Sequence, residues 1–120
     1  METLIILRSK TDDALEDFVR AQMQLFAKME ETMKVRRTYN LLVSLYESMT
    51  KKSSSFLIAH QSEMTKLTND IEMKAEVLAC LKDDEEYLTA ACREAESALN
   101  TARKTEQAFL VEMLKNEITL

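Results

Sequence analysis

The chain contains neither glycine nor proline in its 120 residues. An average composition would place about 14 of these residues in such a length, and glycine normally supplies the left-handed backbone of helix ends and tight turns. The dinucleotide-binding fingerprint, the Walker loop and the nucleophile elbow all require glycine, so the enzyme classes built on those motifs are excluded. The sequence therefore predicts an almost wholly helical protein.

The composition is typical of helices packed on helices. Apolar residues make up 46% of the chain but aromatic residues only 6%, so a core must consist mainly of aliphatic side chains and methionine. The charged share of 31% fits a coiled coil better than a globular domain.

The first half of the chain shows apolar residues at helical spacing, and capping hydroxyl groups in Ser9–Thr11 precede an acidic segment suited to a helix N-terminus. We expect a helix over about residues 11–50. The apolar stripe expected to form its core comprises Leu15, Phe18, Val19, Leu25, Phe26, Met29, Met33, Tyr39, Leu42, Val43, Tyr46 and Met49.

A connector of two lysines and three serines, about residues 51–55, predicts a turn. A heptad repeat then runs from Leu57 to the end of the sequence without a slip. One set of its core positions comprises Leu57, Met64, Ile71, Leu78, Glu85, Cys92, Leu99, Glu106, Met113 and Leu120. The other set comprises His60, Leu67, Lys74, Leu81, Leu88, Ala95, Ala102, Phe109 and Asn116.

Two all-α architectures follow from this repeat. In the first, a long helix over about residues 56–118 folds back on the first helix as an elongated antiparallel helical hairpin or coiled coil. In the second, the acidic run at residues 83–86 is a turn, and the chain forms an unequal three-helix bundle. The unbroken heptad favours the hairpin, with residues 1–120 as a single helical domain. Pairing about Ser53 would place Met29 near Leu78 and leave the end of the second helix uncovered.

Side chains with catalytic or metal-binding chemistry are few and scattered. The single histidine, His60, falls at a heptad core position, where a satisfied interior side chain is expected. Cys80 and Cys92 would lie about 18 Å apart on a continuous helix, too far for a disulfide, and one histidine with two separated cysteines does not complete a zinc site. The acidic run at 83–86 lacks the alternating ligands and the glycine of a calcium loop. We therefore expect no enzymatic activity, no metal and no cofactor.

The same sequence indicates which ligands and locations to expect. No apolar stretch reaches the roughly 20 residues that span a bilayer, and Leu4–Leu7 is too short for a signal-peptide core, so a cytoplasmic protein is expected. Lys34, Arg36 and Arg37 form the one compact basic cluster in a chain of net charge −5. Such a sparse basic face argues against nucleic acid and against a membrane surface, and no small-molecule ligand is expected.

Of two apolar segments, the one at residues 40–46 carries more hydrophobic surface than one neighbouring helix can cover, and the one at residues 108–114 is amphipathic and left uncovered by the predicted pairing. They predict protein docking or self-association through Leu41, Leu42, Val43, Leu45, Tyr46, Phe109, Leu110, Met113 and Leu114. The predicted function is a non-enzymatic structural or interaction protein, a helical subunit of a larger coiled-coil assembly or a homo-oligomer. The alternative is a chaperone or adaptor that holds a helical client protein, and a third is a membrane-curving helical dimer.

Overall fold

The computed structural model describes the backbone of residues 3–119 and the side chains of residues 3–117. The chain forms α1 (Leu4–Thr50), α2 (Ser54–Ala59) and α3 (Gln61–Thr119), and these described residues include no β-strand. The predicted all-α helical hairpin is confirmed. The unequal three-helix bundle is not formed, because α3 continues through the acidic run at 83–86 and α2 has only 6 residues.

The turn after α1 is made without a left-handed residue, since no described residue has a positive φ. The Lys52 N–H donates to the carbonyl oxygen of Met49 (3.1 Å), and the extended backbone of Ser53 (φ −61°, ψ 157°) starts α2. The Ser53 hydroxyl accepts a hydrogen bond from the Phe56 N–H (3.2 Å). A serine N-cap and a bend therefore replace the glycine that usually makes such a reversal.

His60 interrupts the helix between α2 and α3. Its backbone (φ −115°, ψ 25°) leaves the helical region, and its N–H still donates to the carbonyl oxygen of Phe56. The ring Nδ1–H donates to the same oxygen at 2.9 Å, and the imidazole stacks on the Phe56 ring with the centroids 4.1 Å apart. The half-buried His60 is thus a satisfied structural side chain at a helix junction.

The predicted pairing of the two long helices is wrong by nearly one heptad. Lys28 Nζ lies 3.6 Å from Asp84 Oδ2, whereas pairing about Ser53 would have placed its neighbour Met29 near Leu78. The midpoint of the observed pair falls at residue 56, inside α2. The reason is that α2 belongs to the connection between the long helices, so that only α3 pairs with α1.

Contacts group the described residues into two units. One unit is Ala27–Glu86, which contains the second half of α1, the connection and the first half of α3. The other consists of the described residues up to Phe26 together with those from Tyr87 onward. Within each unit, a segment of α1 packs antiparallel on a segment of α3 along a single seam.

The heptad predicted for α3 is confirmed by its burial. Every heptad position from Met64 to Phe109 is buried or half-buried, including the polar residues Lys74, Glu85 and Glu106. Met113 and Asn116 are exposed, and Leu120 lies outside the described residues. The most deeply buried side chains of α3 are Leu67, Leu81 and Leu99.

The single broad core stripe predicted for α1 is wrong. α1 begins at Leu4 rather than near residue 11, the Thr3 hydroxyl accepts from the Ile6 N–H (3.3 Å), and Leu7 is buried. A heptad seam counted from Leu4 is buried or half-buried at Leu4, Leu7, Thr11, Ala14, Phe18, Ala21, Leu25, Lys28, Thr32, Val35, Tyr39, Leu42 and Met49. Six residues predicted to be core are exposed, namely Leu15, Val19, Phe26, Met29, Met33 and Tyr46. The first five lie outside the seam of two positions per heptad that one facing helix covers. Tyr46 occupies a seam position but is 36% exposed.

Candidate protein-docking surfaces

The first predicted docking segment is divided between the seam and the surface. Leu42 and Val43 are half-buried, while Leu41, Leu45 and Tyr46 are exposed, Leu41 to 72%. These residues follow one another within two turns of α1, so a single facing helix covers only one side of the segment. The exposed members are the ones that another chain could contact.

In the unit Ala27–Glu86, Leu42 of this segment lines a groove between α1 and α3. Met73 and Val77 of α3 are exposed apolar residues on the opposite wall, and sequence reasoning did not select them. Met73 and Val77 each precede a heptad core position, Lys74 and Leu78. A second row of apolar residues beside the core row was therefore the sequence pattern that could have identified them. We call this surface the α1–α3 groove, and the exposed Leu41 and Leu45 are near Leu42 on α1. Its lining consists of Thr38, Leu42, Asp70, Met73, Lys74 and Val77.

The second predicted docking segment lies near the end of α3 in the other unit. Met113 and Leu114 are exposed, as is Val111, which was not selected from the sequence. Phe109 and Leu110 are half-buried, so the expectation that nothing in the chain covers this segment is wrong for these two. We call the exposed residues Val111, Met113 and Leu114 the α3 end patch.

A polar cluster explains the partial cover of that segment. Arg8 Nε donates to Glu106 Oε1 at 3.1 Å, and the Thr11 hydroxyl donates to Glu106 Oε2 at 3.0 Å. The Glu106 side chain is only 18% exposed. These bonds hold the first turns of α1 beside residue 106, so Leu4, one turn before Arg8, lies beside the turn of α3 that contains Phe109.

Lys28 is a charged residue at a core position of α1. Its Nζ lies 3.2 Å from Glu31 Oε2 and 3.6 Å from Asp84 Oδ2. The hydrogen bond and charge of Glu31, with a smaller contribution from Asp84, raise the pKa of Lys28 above its ordinary value of 10.5 despite partial desolvation. The ammonium group is therefore charged at neutral pH, and it links α1 to α3 in the observed pairing.

Apolar residues that the sequence had suggested as core are also exposed on α1 outside the seam. In the unit that ends at Phe26 they are Leu15, Val19 and Phe26, and in the unit Ala27–Glu86 they are Met29 and Met33. A heptad written for α1 from Leu4 and Leu7, like the heptad of α3, would have separated these residues from the seam.

The remaining chemistry of the described residues is sparse. Cys80 is exposed and Cys92 half-buried, both free thiols on α3. Among the residues that the structure describes, no three His, Cys, Asp or Glu side chains stand close enough together to hold a metal ion. No helix within the described part of the chain combines the length and hydropathy of a membrane span.

The surfaces that stand out are therefore apolar helix faces rather than a cluster of reactive groups. No protein-family model, curated protein or solved structure matches this chain.

Proposed function

We propose that this protein is a non-enzymatic interaction subunit whose helical hairpin docks on helices of a protein partner in a larger coiled-coil assembly. The observation that carries the proposal is the α1–α3 groove. Met73 and Val77 in its lining, and Leu41 and Leu45 near Leu42 on α1, remain exposed after α1 and α3 have formed their seam. Large apolar side chains clustered on one surface are typical of protein interaction sites.

The groove has the chemistry to receive an amphipathic helix. Its apolar lining is provided by Leu42 of α1 and by Met73 and Val77 of α3, and its lining also includes Asp70 and Lys74, of opposite charge. A helix presenting apolar residues at i, i+3, i+4 and i+7 fills such a groove, with polar residues meeting Asp70 and Lys74. The exposed methionine suits this role, since its flexible side chain adapts to the shape of a partner.

Charge introduced into the groove tests the proposal. We expect Leu41→Glu with Leu45→Glu to weaken partner binding by at least about tenfold, because buried apolar anchors dominate such interfaces. The readout is recovery of bound proteins, quantified by mass spectrometry, from extracts of the cells that make this protein. Ile58→Glu is the matched control, since Ile58 is an equally exposed apolar residue of the same unit outside the groove. Retention of all partners by the double variant, with its helicity unchanged, would refute docking at this site.

The α3 end patch is tested separately by removing residues 111–120. This truncation leaves the Arg8–Glu106 ion pair in place, so the packing of α1 on α3 is expected to persist. Loss of association with helicity retained would identify the patch as a second docking site. Unchanged association would restrict docking to the groove.

The alternative function, an adaptor or chaperone that holds a helical client, is favoured by the exposed methionines. Met23, Met29, Met33 and Met73 are all exposed, and methionine-rich surfaces accept varied partners. An adaptor is expected to bind a hydrophobic dye when free and to lose that binding when a client is added. A fixed assembly subunit is expected to unfold cooperatively on its own and to bind one set of partners.

A further inference from the structure

We propose that the connection between the two long helices is a phosphorylation site, with Ser54 as the acceptor for a protein kinase that recognises basic residues. Ser53, Ser54 and Ser55 directly follow Lys51 and Lys52, and all five residues are exposed. Kinases of this class bind lysine or arginine side chains shortly before the acceptor with their own carboxylates, so the charge pattern selects the substrate. Ser54 has the two lysines two and three positions before it.

A similar pattern occurs at three places in the sequence. At each place, two adjacent basic residues directly precede a residue with a hydroxyl group, and that residue is exposed. The three are Thr38 after Arg36 and Arg37, Ser53 after Lys51 and Lys52, and Thr105 after Arg103 and Lys104. Exposure therefore does not select one of them, and the backbone has to be compared.

The backbone sets Thr38 and Thr105 apart from the connection. Thr38 lies inside α1, where its hydroxyl donates to the carbonyl oxygen of Lys34 at 3.2 Å. Thr105 lies inside α3, where its hydroxyl donates to the carbonyl oxygen of Thr101 at 3.0 Å. A kinase must take the proton of the acceptor hydroxyl and hold its oxygen in line with the γ-phosphate. A hydroxyl bonded to its own helix, on a continuous helical backbone, does not meet that requirement.

The connection, in contrast, opens at little cost. Residues 51–53 are not helical, and the backbone of Ser53 is already extended (φ −61°, ψ 157°). α2 begins at Ser54, has 6 residues and contains no buried residue, and a helix of that length is marginal by itself. Unwinding α2 therefore removes few contacts, whereas unwinding at Thr38 or Thr105 interrupts a helix of 47 or 59 residues.

Ser54 is favoured over its neighbour Ser53 because the Ser53 hydroxyl has a structural role. It accepts the hydrogen bond from the Phe56 N–H at 3.2 Å. In the transfer, the Ser54 Oγ attacks the γ-phosphorus of ATP, the bond from that phosphorus to the bridging oxygen breaks, and ADP leaves. The hydroxyl proton passes to a carboxylate of the kinase.

The product changes the charge of the connection. A phosphoserine carries about −1.5 to −2 charges at pH 7, which offsets the positive charges of Lys51 and Lys52. The lining of the α1–α3 groove includes no residue of the connection. This proposal and the proposed docking function therefore fail separately.

Phosphorylation of the folded full chain is the first test. The chain is incubated with MgATP and the catalytic domain of a serine/threonine kinase directed to basic residues, and the modified positions are identified by mass spectrometry. We expect the phosphate on Ser54, and we expect Lys51→Gln with Lys52→Gln to lower the rate at least about tenfold. Arg36→Gln with Arg37→Gln is the matched control and is expected to leave the rate at Ser54 unchanged. Circular dichroism checks that each variant keeps its helicity.

Two synthetic peptides, covering residues 33–43 and 48–58, are the unfolded references, and the kinase is one that modifies both. We expect Ser54 in the folded chain to react within about threefold of its peptide, and Thr38 to react at least about tenfold more slowly than its own. An equal loss at both positions would show that the fold does not favour the connection. That result, a phosphate on Ser53 or Ser55 in place of Ser54, or a rate that does not depend on Lys51 and Lys52 would overturn the proposal.

Discussion

Truncation of Leu81 to alanine is expected to lower the free energy of unfolding by about 3 kcal/mol. Leu81 is 4% exposed at a heptad core position of α3. Loss of its buried methyl and methine groups removes about 2 kcal/mol of transfer free energy. The remaining cavity adds to this loss, but a two-helix seam can partly collapse around it, which keeps the total near the lower part of the range for leucine in protein cores.

Urea unfolding followed by circular dichroism measures this change, and thermal unfolding is expected to show a midpoint lower by roughly 12 °C. Each variant is measured at two protein concentrations, because self-association would make the apparent stability concentration-dependent. Tyr87→Ala is the control, since its ring is 76% exposed on the same helix, and it is expected to change stability by less than about 0.5 kcal/mol. A cost for Leu81→Ala no greater than that of the control would refute the seam as the source of stability.

Three further predictions concern polar groups. Glu106→Ala is expected to destabilise the protein by about 1 kcal/mol, because the largely covered Glu106 carboxylate no longer accepts hydrogen bonds from Thr11 and Arg8; urea unfolding measures it, and an unchanged midpoint would contradict the packing of α1 beside residue 106. The raised pKa of Lys28 means that the folded chain binds its proton more tightly than the unfolded chain, so its contribution to stability is fully present below pH 10.5 and is lost as the pH rises through the higher folded value. The difference in unfolding midpoint between the wild type and Lys28→Met is therefore expected to shrink in that alkaline range, and a constant difference would argue against the ion pairs. Oxidation of the monomer is expected to give no bond between Cys80 and Cys92, which α3 holds about 18 Å apart; an intramolecular disulfide found by mass spectrometry would show that α3 breaks between them.

The pattern of α3 was readable from its residues alone. Apolar positions alternating at three and four residues identify one face of a helix, and that face is the one buried against α1. The heptad can still be recognised across the polar residues Lys74, Glu85 and Glu106, because the neighbouring heptad positions are apolar. It also favoured a continuous helix over a turn at the acidic run 83–86, because the heptad keeps its phase there, and α3 does continue through that run.

The pairing of the helices was not readable in the same way. Sliding one heptad helix along another by a whole repeat places the same kinds of residue in contact, so the apolar pattern discriminates poorly between such registers. The observed register is determined by the length of the connection, which includes α2, and by the specific contacts of Lys28 with Asp84 and of Arg8 with Glu106. The prediction for the second docking segment was affected in turn, because the observed register partly covers Phe109, which the predicted register left uncovered.

The absence of glycine and proline, together with the heptad, determined that this chain is helical and that its second half faces a partner helix. Which face of α1 becomes core was decided by the position of α3. Thr32 is buried, with its hydroxyl donating to the carbonyl oxygen of Lys28 at 3.0 Å, while the larger and more apolar Phe26 is exposed. A side chain is buried only where another element covers it, and one neighbouring helix covers one seam, so hydrophobicity along the sequence marks the candidate faces and tertiary packing selects among them.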